Sequence, residues 1–172
     1  GLDKDIFREI IWVKQEQLPL FLEQHKPSPD PSLFNIFVFH MALDLPSVTP
    51  PHMEAEASPK LIPEGFNYFA GGHVHKPSRN KFKDGMLIYS GCTETVSYED
   101  AEIEKGFYHV EVNEKGVPKL NRIRLERPRR FVILKRDFNN VLPAKITETA
   151  VQLVKEADEE GVIIVPVLEG VL

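Results

Sequence analysis

Two histidines one residue apart, His73 and His75, stand directly behind a glycine pair in the stretch FNYFAGGHVHKPSRNKF, residues 66–82. An imidazole nitrogen is the commonest protein ligand for zinc, manganese and iron. On an extended chain side chains at i and i+2 point to the same side, so a His-x-His pair can present both rings to one small region. A third histidine, His40, closes the apolar run LFNIFVFH and takes the same kind of place, at the carboxyl end of a strand. Three imidazoles at neighbouring strand ends make a candidate metal site, in the crevice where layered α/β proteins usually hold their ligands. Taken alone, the pair His73 and His75 is read more readily as a surface turn that happens to hold two histidines than as a metal site. His25 before a Pro-rich loop, His52 within a proline-rich segment and His109 within a hairpin strand are assigned surface or packing roles.

The elements that must position these rings are legible as apolar runs. FNYFAGG reads as a buried strand ended by a turn at Gly71 and Gly72, and LFNIFVFH as a strand covered on both faces. Between them residues 41–65 carry Pro46, Pro50, Pro51, Pro59 and Pro63, which predicts a long crossing loop or a few short turns. MLIYSGCTETV supplies a further strand stopped by Gly91, and GFYHVEVNEKGVPKLNRIRLE alternates on both sides of NEKG, the signature of a hairpin with one wet face. Upstream, Ile6, Ile10, Val13, Leu18, Phe21 and Leu22 are spaced for a helix disturbed or broken at Pro19. Beyond Pro128, RFVILKRDF reads as a strand, residues 144–160 as a helix with Ile146, Ala150, Leu153, Val154 and Ala157 on one face and Gly161 as its stop, and VIIVPVL as the strand that closes a β-α-β unit.

The chain has 172 residues, 42% of them hydrophobic and 27% charged, enough for one core and a small second unit. Its longest apolar stretches are strand-sized, too short to span a membrane, and no basic signal segment opens the chain, so a cytoplasmic protein is expected. One cysteine, Cys92, excludes an internal disulfide and a cysteine zinc finger, and predicts a small buried residue. The net charge of -5 gives no general reason to expect nucleic acid, yet Lys119–Arg136 holds eight basic residues against the single acid Glu126. A solvated hairpin face and a phosphate-tracking patch both fit that segment. Gly1 at the start and VIIVPVLEGVL at the end suggest a piece of something longer.

The order IFVFH, LIPEGFNYFAGGHVHKP, LIYSGCTE and EKGFYHVEV resembles the carboxyl-terminal half of the calcineurin-like metallophosphoesterases. More closely, it resembles the SbcD-type nucleases that work with an SMC-like ATPase in DNA double-strand-break repair. The resemblance implies a mixed α/β (α+β) fold: half of a phosphoesterase β-sandwich over residues 1–127, then a small β-α-β capping domain over residues 128–172 that helps position DNA. It implies two divalent metal ions, typically manganese, with His40 and His73 on the second ion and His75 on the first, and a homodimeric, cytoplasmic or nucleoid-associated parent. Lys76 and Arg79, beside the histidine pair, are candidate phosphate contacts or ordinary solvated residues.

The departures from the pattern are Cys92 where serine is usual, Ser90 where proline is common and Met41 where glutamine is frequent. A larger one is that the 172 residues contain no Asp-x-His, Gly-Asp-x-x-Asp or Gly-Asn-His motif. In the family these supply the bridging carboxylate, further ligands and the histidine that assists the leaving group. No catalytic residue is therefore assigned within this chain, and the binuclear centre is expected to be incomplete and inactive in isolation. Two further readings are a phosphodiesterase or phosphatase of the same superfamily acting on small molecules, and a noncatalytic scaffold in which the histidines are incidental. The β-α-β unit after the hairpin argues against the former.

Overall fold

The apolar runs become one mixed sheet in a computed structural model of the chain, which describes residues 17–51, 53–116, 118–126 and 128–171. Strands β1 (Ile36–His40), β2 (Tyr68–Gly72), β3 (Ser78–Phe82) and β4 (Gly85–Tyr89) lie in the order β1-β2-β4-β3. β1, β2 and β4 run parallel, and β3 returns antiparallel to β4. The described residues also form an antiparallel pair, β5 (Gly106–Val112) with β6 (Pro118–Arg124), and a parallel pair, β7 (Arg130–Asp137) with β8 (Val162–Glu169). Helix α1 spans Leu18–Gln24 and α2 spans Pro143–Glu156. The fold is mixed α/β, as the sequence predicts. Two compact units divide the chain, one reaching Val74 and including Ser78–Tyr89, the other made of His75–Pro77 and the residues from Ser90 onward; Pro128 falls inside the second.

In the first unit the sheet packs through Phe39, Phe69, Leu87 and Tyr89, each no more than 5% exposed, and burial of such a side chain stabilises by roughly 1.5–3 kcal/mol. Phe37 sits among Phe39, Phe66 and Phe69, its ring centroid 5.2–6.4 Å from theirs. The opposite face of β1 is open: Ile36 is 54% and Val38 74% exposed, so the expectation of cover on both faces fails for this strand, which lies at the sheet edge.

The proline-rich segment is more than a crossing loop. Met41, Ala42, Leu43, Val48, Ala57 and Ile62 are all buried in the core, and the segment folds back on itself through a bridge between Leu43 and Ala57. Proline removes backbone donors and so discourages ladders, but it does not prevent apolar neighbours from being buried. Pro19 stands in the first turn of α1 and starts the helix rather than breaking it, as its fixed φ and missing N–H allow there. Ile6, Ile10 and Val13 lie outside the described residues.

In the second unit the hairpin pairs Gly106 with Arg124 through to Val112 with Pro118. β7 and β8 are joined through α2, whose half-buried residues include Ile146, Ala150, Leu153 and Val154; with the half-buried Ala157 just past its end they make the predicted apolar face. The helix ends at Glu156 with Ala157 as its cap, so Gly161, at φ +76, leads into β8 instead of stopping α2. Among the described residues no helix is long and apolar enough to cross a membrane.

Candidate metal centre

His40 is the last residue of β1, directly opposite Gly72, the last residue of β2. The glycine pair is not the predicted turn but two strand positions whose missing side chains make room for neighbours. A Cβ on Gly71 would lie 2.7 Å from the Tyr89 ring, and one on Gly72 would lie 2.5 Å from His40 Nδ1. The chain leaves the strand at the next residue: His73 has φ 82, a left-handed conformation that costs a residue with a side chain roughly 1–2 kcal/mol. The i, i+2 rule for extended chain therefore does not apply across His73 and His75.

The turn at His73 brings its ring against that of His40, centroids 5.5 Å apart at 69°. His73 Nε2 lies 3.4 Å from Glu56 Oε2. Glu56 is held by the proline-rich segment: its carboxylate accepts the Ala42 N–H at 2.8 Å and its own N–H donates to the Ala42 carbonyl at 2.9 Å. The Tyr89 hydroxyl donates to the Met41 carbonyl at 2.8 Å, fixing the residue that follows His40. Burial pushes the Tyr89 phenol far up, so this group stays a donor. Two imidazoles and a carboxylate therefore lie near one another at the carboxyl ends of β1 and β2, and the His40 ring occupies the space that a side chain at position 72 would need.

His75 belongs to the second unit, where it meets a different carboxylate. Its Nδ1 lies 2.9 Å and 3.0 Å from the two oxygens of Asp100, a residue only 4% exposed. Asp100 Oδ2 also accepts the N–H groups of Ser97 and Val96, at 3.2 and 3.4 Å. Burial alone would raise the Asp100 carboxyl, but the hydrogen bonds from His75 and Ser97 outweigh it and hold the group below the usual carboxylate range. Cys92 completes a trio with His75 and Asp100 whose ligand atoms all lie within 4.8 Å of one another. Burial pushes the Cys92 thiol up from its ordinary value.

Of the residues singled out by sequence, His40 and His73 are thus brought together, while His75 is paired with Asp100. Lys76 and Arg79 are both exposed, the former in the second unit and the latter on β3. His25 stacks on Phe21 at 4.7 Å, His109 lies in β5, and His52 lies outside the described residues. Sequence reasoning missed Glu56 and Asp100. Glu56 carries no periodic signal inside a proline-rich stretch. Asp100 could have been suspected from Ser97-Tyr98-Glu99-Asp100, the spacing of a reciprocal cap.

No protein-family model matches the chain. It is 29% identical over 126 residues, 69% of its length, to the DNA double-strand break repair protein Mre11 of Methanopyrus kandleri. It is 39% identical over 87 residues, 45% of its length, to the protein of the same name from Methanocaldococcus jannaschii. The matched stretches make up 27% and 24% of those two proteins, so the chain spans about a quarter of the curated relatives it matches. The chain is similar to proteins of DNA double-strand break repair.

Proposed function

We propose that this chain is the metal-holding carboxyl-terminal part of an SbcD-type DNA double-strand-break repair nuclease of the calcineurin-like metallophosphoesterase superfamily. The observation that carries the reading is the meeting of His40 and His73 at the carboxyl ends of β1 and β2, in a chain similar to double-strand break repair proteins. His40 and His73 hold one divalent ion and His75 the other. When bound, two such ions, manganese by preference, activate water and neutralise a phosphodiester. Lys76 and Arg79 contact DNA phosphates, residues 1–127 belong to the nuclease domain, and residues 128–172 form the part of the cap that positions DNA. The parent is a cytoplasmic homodimer that works with an SMC-like ATPase.

Imidazoles bring no negative charge to offset two dications held close together, and the bridging carboxylate and the histidine that aids the leaving group belong to motifs absent from these 172 residues. The chain on its own therefore binds manganese weakly and does not turn over. The test is a manganese titration and a DNA-cleavage assay on the purified chain. Weak binding that weakens further in His73→Ala, with no cleavage, supports the proposal. Cleavage that disappears in His75→Ala would show that the site is complete here and the incomplete-site account is wrong; cleavage that survives the substitution marks a contaminating enzyme.

A further inference from the structure

We propose that Asp100 is the positioning residue for His75: it holds the proton on Nδ1, so that Nε2 is the nitrogen left to bind metal. This rests on the reading of His75 as a ligand. An ionised carboxylate can only accept, so the Nδ1 that lies 2.9 and 3.0 Å from both Asp100 oxygens must carry the hydrogen. A neutral imidazole has one protonated and one bare nitrogen, and the bond at one fixes the identity of the other.

The carboxylate is far more rigid than the ring. Asp100 is 4% exposed, whereas the His75 side chain is 42% exposed. Asp100 Oδ2 is tied to the N–H groups of Ser97 and Val96, and Ser97 returns the bond by accepting the Asp100 N–H through its side chain. The Asp100 carbonyl receives the ammonium of Lys105, which also donates to the Ile103 carbonyl at 2.6 Å and is itself only 3% exposed. The backbone of His75 is pinned as well. Its carbonyl accepts the Cys92 N–H at 3.1 Å, and Gly91, at φ +78, allows the approach because a Cβ there would sit 2.6 Å from that carbonyl oxygen. The ring must orient to the carboxylate, not the reverse.

The same atoms could be read as a metal site made by His75, Cys92 and Asp100 together. That arrangement needs Nδ1 bare, but Nδ1 is engaged by the Asp100 carboxylate at 2.9 and 3.0 Å. A histidine that binds metal almost always donates its other N–H to a carboxylate or carbonyl, and loss of that partner typically weakens metal binding about 10–100-fold.

Asp100→Asn separates this role from a merely structural one. Ser97 and Val96 donate to Oδ2, so the amide oxygen takes that place, 3.0 Å from His75 Nδ1, and the NH2 group replaces the nearer acceptor, Oδ1, at 2.9 Å. The substitution keeps the shape of the turn but offers a donor where the ring needs an acceptor, which inverts the tautomer. The experiment is a long-range proton–nitrogen correlation spectrum of the 15N-labelled, metal-free chain at pH about 8.5, roughly two units above the ordinary imidazole pKa. The expected result is Nδ1–H with bare Nε2 for His75 in the wild type and Nε2–H in Asp100→Asn. Manganese binding, read from the free-ion electron paramagnetic resonance signal, should weaken about 10-fold or more in the variant.

Nε2–H in the wild type overturns the proposal without need of any variant. An inverted tautomer with unchanged manganese affinity also overturns it. So does a cobalt spectrum showing thiolate ligation that is lost in Cys92→Ala. If neither protein binds manganese, the metal role of His75 fails instead, and the tautomer pattern alone decides whether Asp100 orients the ring.

Discussion

Gly72→Ala places a single methyl group against the candidate metal centre. The new Cβ would stand 2.5 Å from His40 Nδ1, whereas ordinary contact begins near 3.4 Å, so about 0.9 Å of separation must be found. Two groups can yield: the paired backbones of β1 and β2, or the His40 ring. The backbones are locked by a ladder running from Ile36 with Tyr68 to His40 with Gly72, while the His40 side chain is exposed. The ring therefore swings outward. Stability falls by about 1 kcal/mol, at the low end of the cost of overpacking. The metal effect is larger, because bonds from imidazole nitrogen to such ions are about 2.0–2.1 Å long and sites tolerate deviations of only about 0.2 Å. A displaced His40 no longer shares an ion with His73, and manganese affinity should drop about 10-fold. Urea denaturation reads the first quantity and loss of the free manganese resonance the second. A loss near 3 kcal/mol with unchanged affinity would refute the reasoning, since it would mean that the strands had parted and the ring had stayed.

Tyr89→Phe removes the only hydroxyl bonded to the Met41 carbonyl among the described residues, and with Tyr89 fully buried and Met41 1% exposed the orphaned acceptor should cost about 1–3 kcal/mol in urea denaturation. An unchanged midpoint would mean that water or another donor replaces it. Acid sensitivity should trace in part to Glu94, whose carboxylate is held below its ordinary value by the N–H groups of Thr95 and Arg129, at 2.7 and 2.6 Å. A depressed folded pKa adds stability above the unfolded value, about 4.3, and loses it as pH falls through the folded one. Glu94→Gln should therefore flatten the acid limb of a stability–pH profile below about pH 4, and an identical limb in both proteins would remove Glu94 from the account.

The placement of His40 and His73 was legible because each closes an apolar run, and a run of that kind in a parallel sheet delivers its last side chain to the carboxyl edge. The reason given for the pair His73 and His75 was not sound. Alternation on one strand required the strand to continue, and it stops at Gly72 before a residue at φ 82. The glycines were read for backbone freedom, yet their use is lateral: His40 and Tyr89, from neighbouring strands, occupy the space a side chain would need. β3 went unseen because SRNKF is polar and its extended form is imposed by pairing with β4. Partners as distant as His75 and Asp100, 25 residues apart, or His73 and Glu56 on a proline-rich segment, are set by tertiary packing and leave no local period to read.

The central claim is that these histidines serve metal-dependent cleavage of DNA, and the most direct measurement is manganese-dependent degradation of double-stranded DNA by the proposed full-length parent, beside its His73→Ala and His75→Ala variants. The account predicts cleavage by the wild type, its loss in both variants, and DNA binding largely retained in both, because binding rests mainly on phosphate contacts elsewhere. Cleavage at the wild-type rate by either variant would contradict it.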